Sequence, residues 1–561
     1  MKPNITKIAV TTVIALLCVP ATLFSLRADN NADIARNLDI FNSLYKELNA
    51  FYVDSINANT SIENAINYML NDIDPYTEYI PAKNHEDFMV VATGEYGGIG
   101  SYIMERPEGG VYISEPYENS PAAKAGLRAG DLIMMIDNDS TTTWHTSAVS
   151  EHLKGQANTS LRLLIKRPYD PDSIKTVNII REKIKLDPVP YYGLTRKSLG
   201  YINLSTFTEH SASQVKSALL ELKKNQAVTA IVLDLRGNGG GLVESAVQIV
   251  GMFVPKGTQV LQTKGRTEQQ VKTYKTTEEP IDTKIPLFVL IDGGSASAAE
   301  ITAGALQDLD RAVIMGDRSY GKGLVQTTRP LPFDAMLKVT IAKYYIPSGR
   351  LIQEFDYSHR NADGTAQRVP DSLANVFHTV NGREVRDGGG ITPDVKINYP
   401  ELNRLVYNIV RDNWAFDFAT KFAAENPTIP SLEEFAITDS IFNDFKRFIN
   451  PDKFKYDRVC EQGLDNLRQI AKAEGYLNDS TKQAFDHLAT LLKHDLQNDL
   501  TKNRKEISKI LASEIVKRYY YQRGEIIQQI KDDETLDRAY IISVQPREYE
   551  RILGITTKKK K

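Results

Sequence analysis

The sequence predicts a multidomain α/β protein. A β-rich segment precedes an α/β core, a helical region opens the chain and an all-helical extension closes it. Three observations carry this. Strand-like and helix-like apolar runs alternate between residues 198 and 350. Short β-like runs between Gly, Pro and Asp turns fill residues 95–185. From Leu402 onward the periodicity is almost wholly helical. A chain of 561 residues has room for such a division, since domains run to roughly 150 residues.

Composition excludes several function classes. With 42% hydrophobic and 25% charged residues, the chain is neither mostly disordered nor a polytopic membrane protein. The net charge of −3, from 68 basic and 71 acidic residues, gives no pull towards nucleic acid, and no nucleic-acid partner is expected. Two cysteines, Cys18 and Cys460, allow one disulfide at most and no four-cysteine zinc site. The eight histidines form no HExxH pair.

Residues 1–28 read as an export signal or a membrane anchor. Lys2 and Lys7 precede an apolar run of about 19 residues, 8–26, long for a signal and just enough to span a bilayer. Pro20 would kink an anchor, while Leu26 fits a cleavage site poorly, so both readings stay open. Leu17 before Cys18 argues against a lipoprotein, and cleavage would leave Cys460 as the one thiol. Residues 33–90 are helical, with Ile34, Leu38, Phe41, Leu44 and Leu48, then Ile62, Ile66, Met69 and Leu70, at helical spacing. Asp74-Pro75 ends that stretch. Residues 91–185 carry β-like runs at 110–114, 132–136, 161–165 and 176–180 and a helix at about 145–154. In residues 190–400 the runs at 230–235, 287–291 and 312–315 alternate with helices at 243–253 and 298–307. Residues 401–561 hold amphipathic helices at 457–475, 482–500 and 503–523 and end in a solvated tail, Lys558 to Lys561.

The β-rich segment has a glycine-rich turn, Gly94-Glu-Tyr-Gly-Gly-Ile-Gly-Ser101, followed by "SPAAKAGLRAGDLI" and a helix. In that order it resembles a PDZ domain, which captures a peptide C-terminus by strand addition. The resemblance implies that the amides of Gly98, Ile99 and Gly100 hold the terminal carboxylate. Taken alone, the same glycines make a plain β-turn.

Ser295 and Ser297 stand in Asp292-Gly-Gly-Ser-Ala-Ser-Ala-Ala-Glu300, between a buried-strand run and an Ala-rich helix. A serine at a strand-to-helix turn has its hydroxyl near free helix N–H groups, where an acyl-transfer nucleophile belongs. The same position otherwise suits an N-cap. A serine nucleophile needs a base, and no G-x-S-x-G elbow or neighbouring histidine supplies one. Lys322, in Tyr320-Gly-Lys-Gly323, serves if burial lowers its pKa.

Together "GGSASAAEITAGALQD", "GDRSYGKGLVQ", "DLRGNGGG" and "AKYYIPSGRLIQ" resemble the tail-specific, or C-terminal processing, serine peptidases over about residues 33–400. The resemblance implies a ClpP/crotonase-like α/β core with a preceding PDZ domain and an N-terminal helical cap. It carries the Ser–Lys dyad onto Ser297 and Lys322, 25 residues apart, and the lysine-orienting glutamine onto Gln326. Backbone oxyanion donors fall on Ala298 and on Gly239 or Gly240. Asp308 matches an acidic position and reads as structural. Ala299 departs from a serine found in many members, without touching the dyad. No metal or organic cofactor is implied.

The expected function is an exported serine endopeptidase that binds protein C-termini through its PDZ domain and processes or degrades envelope proteins. The expected place is the periplasm, facing or attached to the inner membrane. The alternative is a non-catalytic PDZ scaffold for protein tails, which the joint presence of Ser297, Lys322 and Gln326 argues against. A Walker A reading of Gly316 to Gly323 lacks the Mg²⁺-binding hydroxyl and is followed by a strand-like run. The "GNGGG" run is no dinucleotide fingerprint, because its third glycine would fall on Leu242. The extension reads as an arm for a second copy, for an adaptor or for gating, or as a packed cap, with no motif to choose between them.

Overall fold

The alternating runs of the central segment close into one six-stranded sheet in the computed structural model, which describes residues 31–399, 403–456, 459–493 and 495–555. β1 (Tyr191–Thr195), β2 (Leu199–Asn203), β3 (Ala230–Asp234), β4 (Leu287–Ile291), β5 (Val313–Gly316) and β6 (Val395–Lys396) lie side by side in chain order. β1 is antiparallel to β2, and β2 to β6 are parallel. Register puts Ile202, Leu233, Val289 and Ile314 in one row and Tyr201, Val232, Phe288 and Val313 in the next. All eight are buried, as strands covered on both faces must be.

The first row faces α1 (Ser211–Lys224), α2 (Val243–Gly251) and α3 (Ala298–Asp308). α1 turns Val215, Ala218, Leu219 and Leu222 inward, the spacing of one helix face. The second row is covered by the C-terminal extension. α4 (Arg504–Lys531), α5 (Glu534–Ser543) and α6 (Pro546–Ile552) lead a set of residues, Ile526, Ile530, Leu536, Ala539, Ile542 and Leu553, onto eight apolar sheet residues. Exposing such a face would cost on the order of 10 kcal/mol. This part of the extension is therefore the third layer of the core. The earlier helices, Trp414–Glu425 and Asp439–Phe448 with the first half of α4, hold a separate aromatic core around Phe418, Phe442 and Phe445.

Two helix expectations shift. The 482–500 stretch is two helices, Asp479–Leu492 and Leu496–Lys502, because Asp495 accepts the Gln497 and Asn498 amides at 2.8 and 3.1 Å and starts a new one. The third helix runs on to Lys531, with a break at Tyr521, where φ is 53° and ψ −162°.

In the β-rich segment, strands Ser101–Glu105, Val111–Pro116, Leu132–Ile136, Ser160–Lys166 and Ile174–Ile180 form an antiparallel sheet in that order. Leu161, Leu163 and Ile165 alternate inward against Val149 and Leu153 of the helix Thr146–Leu153. This segment rests on the extension. Arg106 grips Asp417 through a 2.8 Å ion pair, and the Tyr112 and Phe416 rings lie 5.1 Å apart.

Among the described residues, those up to Tyr79 form a unit of their own. A helix over residues 31–51 and the helix Ala58–Asn71 are tied by Tyr45 Oη and Ser61 Oγ at 2.6 Å. The expected apolar stripe forms but stays uncovered in this unit, with Leu38 63% and Leu44 57% exposed. Asp74 accepts the Tyr76 and Thr77 amides and turns the chain at Pro75. The signal or anchor, Cys18 and the terminal lysines lie outside the described residues. Cys460 is a free, exposed thiol. Among the described residues no helix is long and apolar enough to cross a membrane.

Candidate active site

Where β4 ends, Asp292 folds the glycine-rich turn. Its Oδ1 accepts the amides of Gly237 and Gly294, each at 2.9 Å. Ser295 is fully buried; its Oγ accepts the Asp292 amide at 3.0 Å and donates to the Leu235 carbonyl at 2.8 Å. That hydroxyl is structural. Ser297 is half-buried and caps α3 with φ 55° and ψ −113°. A non-glycine residue held there stores about 1–3 kcal/mol of strain. The strained strand-turn-helix geometry of a nucleophile elbow is thus reached without the G-x-S-x-G spacing.

Glu300, three residues on, is what holds it. This carboxylate is wholly buried. Its Oε2 accepts the amides of Ser297 and Lys322, each at 2.9 Å. Its Oε1 accepts the Gly321 amide at 2.7 Å and the Ser319 hydroxyl at 2.5 Å. Burial pushes Glu300 up to about 7, against the pull of these donors. On the carbonyl side, the buried Tyr344 hydroxyl lies 2.7 Å from the Lys322 oxygen and 3.2 Å from that of Ser297. One carboxylate and one phenol therefore bind the backbones of residues 297 and 322 to each other.

Asn238 shapes the facing turn. It is buried, donates to the Leu204 carbonyl at 2.6 Å and offers its backbone oxygen to the Ala296 amide at 2.9 Å. Gly240 is forced to be glycine: its φ is 98°, and a Cβ there would lie 2.8 Å from Ser297 Cβ. The two glycines named from sequence differ. The Gly240 amide is already engaged, donating to Asn238 Oδ1 at 2.8 Å. The Gly239 amide enters none of these bonds, and Gly239 is exposed beside open space. Ala298 begins α3 directly after Ser297, at the helix N-terminus.

Gln326 lies on the strand Leu324–Pro330 that follows Lys322; its amide donates to Thr340 Oγ1 at 3.2 Å. Asp308 is buried, pairs with Arg350 at 2.9 Å and accepts the Ser348 amide at 3.0 Å. That is a structural role for Asp308.

Gly98 ends the strand Glu95–Gly98, where it pairs with Glu182, and Ile99 and Gly100 form the turn from it into the edge strand Ser101–Glu105, opposite the helix Thr146–Leu153. The carbonyls of Ile99 and Gly100 are pinned by the amides of Ala122 and Tyr117 at 2.8 and 2.9 Å. Among the described residues the structure gives the Ile99 and Gly100 amides no acceptor. Such a turn, with carbonyls tied back and amides available, can accept an anion. A cavity of about 40 Å³ beside it is lined by Ile99, Ile103, Ser150, Leu153 and Lys154 among others.

Sequence reasoning missed Glu300 and Tyr344. A legible signal existed for Glu300, since Ser297-Ala-Ala-Glu300 has the S-x-x-E spacing of a capping box. Tyr344 had none beyond its place in an apolar strand.

Three family models match the chain: "Peptidase family S41" over residues 198–357, "PDZ domain" over 112–167, and "Probable PDZ-protease, C-terminal helical domain" over 405–542. A carboxy-terminal-processing protease of Bartonella bacilliformis is 35% identical over 333 residues, which is 59% of this chain and 75% of that protein. A probable CtpA-like serine protease of Staphylococcus aureus is 32% identical over 494 residues, 87% of this chain and 88% of that one. A solved photosystem II D1 C-terminal processing protease is 28% identical, with a TM-score of 0.36 over 64% of this chain and 86% of that one.

Proposed function

The chain belongs to the carboxy-terminal-processing, or tail-specific, serine proteases of peptidase family S41, here with a PDZ domain, and from that premise we propose that Ser297 is its nucleophile and Lys322 its general base. The observation that carries the assignment is the shared grip of Glu300 and Tyr344 on the backbones of residues 297 and 322. Neutral Lys322 takes the Ser297 proton as Oγ attacks the scissile carbonyl, then hands it to the leaving amine. The Gly239 and Ala298 amides face the oxyanion, with Gly239 favoured over Gly240 because its amide is unspent. Gln326, on the strand that follows Lys322, steadies the lysine side. Water repeats the sequence on the acyl-enzyme.

In this reading the six-stranded sheet and its helices are the ClpP/crotonase-like core, and the helices before Tyr79 are its N-terminal cap. The N-terminal segment exports the chain to the periplasm, by cleavage or as an inner-membrane anchor. There it cuts envelope proteins whose C-termini dock on Gly98, Ile99 and Gly100.

The test is cleavage by the full chain of a protein ending in an apolar tail, beside the same protein ending in an amide. The free carboxylate is expected to be needed for efficient cutting. Equal cleavage of both would remove the tail-binding role. A companion variant addresses the turn itself. Gly100 has φ 72°, and a Cβ there would lie 2.6 Å from Ser120 Cβ. Gly100→Val is expected to raise KM for the tailed protein about tenfold, equivalent to ~1.4 kcal/mol. Cleavage of a short peptide too small to reach the groove is expected to stay unchanged.

A further inference from the structure

The C-terminal extension reaches the catalytic turn through one carboxylate. Asp533 caps α5, its Oδ1 accepting the Thr535 amide at 2.8 Å and the Leu536 amide at 3.3 Å. Its other oxygen, Oδ2, receives Arg236 Nη2 at 2.7 Å. The two side chains are 10% and 20% exposed, so little water competes for the pair.

Arg236 is no ordinary surface partner. It directly precedes the turn from Gly237 to Gly241 that carries the Gly239 amide. Its guanidinium also binds Asp234, at the end of β3, with contacts of 2.6 to 3.1 Å. Asp234 in turn accepts the Arg236 amide at 3.0 Å and the Tyr201 hydroxyl at 2.8 Å. One residue past Gly237, Asn238 donates its amide to the Leu235 carbonyl at 3.1 Å and positions the Gly240 and Ala296 amides. The stem of the turn is thus clamped between the sheet on one side and the extension on the other. A second core arginine fixes the same junction: Arg196 holds Asp537 at 2.5 Å and the Ile530 carbonyl at 2.9 Å.

We propose that Asp533 is a positioning residue for peptide hydrolysis, holding Arg236 so that the turn it begins presents the oxyanion donor. This rests on the reading of Ser297, Lys322 and Gly239 given above. The extension is then part of the catalytic machinery as well as a layer of the core. The physical reason is that an oxyanion donor must not move when charge develops. A misplacement of about 1 Å is enough to cost up to ~10²-fold in rate.

The two oxygens of Asp533 allow the cap and the pairing to be separated. Asp533→Asn and Asp533→Ser each keep a side-chain oxygen able to cap α5, and each removes the charge facing Arg236. In the full chain, both variants are expected to melt within a few degrees of wild type. KM for a tailed substrate is expected to stay within about twofold, while kcat falls about tenfold or more, as expected for a displaced donor. The inhibition constant of a peptidyl trifluoromethyl ketone, which forms a tetrahedral oxyanion once Ser297 Oγ adds to it, is expected to rise by the same factor. A kcat within about twofold of wild type, or a loss of kcat that leaves the ketone's affinity unchanged, overturns the proposal. Ser297→Ala, measured alongside, keeps the two layers apart. If that variant cleaves like wild type, the underlying dyad reading fails; if it is inactive while the Asp533 variants keep full kcat, only this inference fails.

Discussion

Alanine at Ser297 or at Lys322 is expected to lower kcat by about 10⁴-fold or more, and the double variant to fall no further than either single one, because residues that act as a unit are grossly non-additive. Without Oγ there is no acyl-enzyme to form. Without the lysine, Oγ has no base to take its proton and the leaving amine has no proton donor. Lys322→Arg is expected to be as inactive as Lys322→Ala. A guanidinium fills much of the same volume and keeps the charge, but it has no accessible neutral form with which to accept a proton. The check is kcat on a tailed protein for the three single variants and the double. Additive losses, or activity retained with arginine, would remove Lys322 as base.

Glu300→Gln is expected to have the second largest effect, a drop in kcat of about 10²-fold, comparable to the loss of one preorganised donor. Four donors converge on the Glu300 carboxylate: the amides of Ser297, Gly321 and Lys322 and the Ser319 hydroxyl. A carboxylate meets all four with lone pairs. A glutamine must turn its own N–H₂ towards one pair of them. Whichever way it lies, buried donors lose their acceptor, at about 1–3 kcal/mol each. Ser297 then has less reason to hold a φ of 55°. Glu300→Ala would orphan all four groups, so the glutamine variant is the one suited to kinetics.

The same carboxylate sets an expected pH dependence. Burial raises Glu300 from 4.5 to about 7. Below that pH the group is protonated, and above it is ionised. A proton has one fitting place, on Oε1 against Ser319 Oγ, since the other three neighbours are backbone N–H groups. Protonation leaves the bonds to residues 297 and 322 in place but takes away the charge that strengthens them. Activity is therefore expected to rise several-fold as pH increases through about 7, and Glu300→Gln is expected to lack that limb. A glutamine variant that keeps the limb would assign it to another group.

The core was legible because its signals are periodic. The strand at 287–291 and the start of α3 at Ala298 fall where apolar runs and the Ser297 cap place them. Ser297 and Lys322 could be named through motifs, not through periodicity. Three things escaped because they depend on contacts distant in sequence. The covering of the second sheet face by Ile526, Leu536 and Ile542 needs the sheet to exist first. The role of Tyr344 depends on two carbonyls that only the fold brings to one hydroxyl. The unequal standing of Gly239 and Gly240 is decided by one side-chain oxygen of Asn238. The uncovered stripe at Leu38 and Leu44 marks the opposite limit, since helical spacing identifies an apolar face without saying what it meets.

The most direct measurement is the mass of the covalent species. The full chain is mixed with a tailed substrate, quenched within one turnover, digested, and searched for the peptide that carries the acyl group. The account requires the ester on Ser297, its formation slowed at least as much as kcat by Lys322→Ala. An acyl group on Ser295, or sustained cleavage with no serine ester at all, would contradict it.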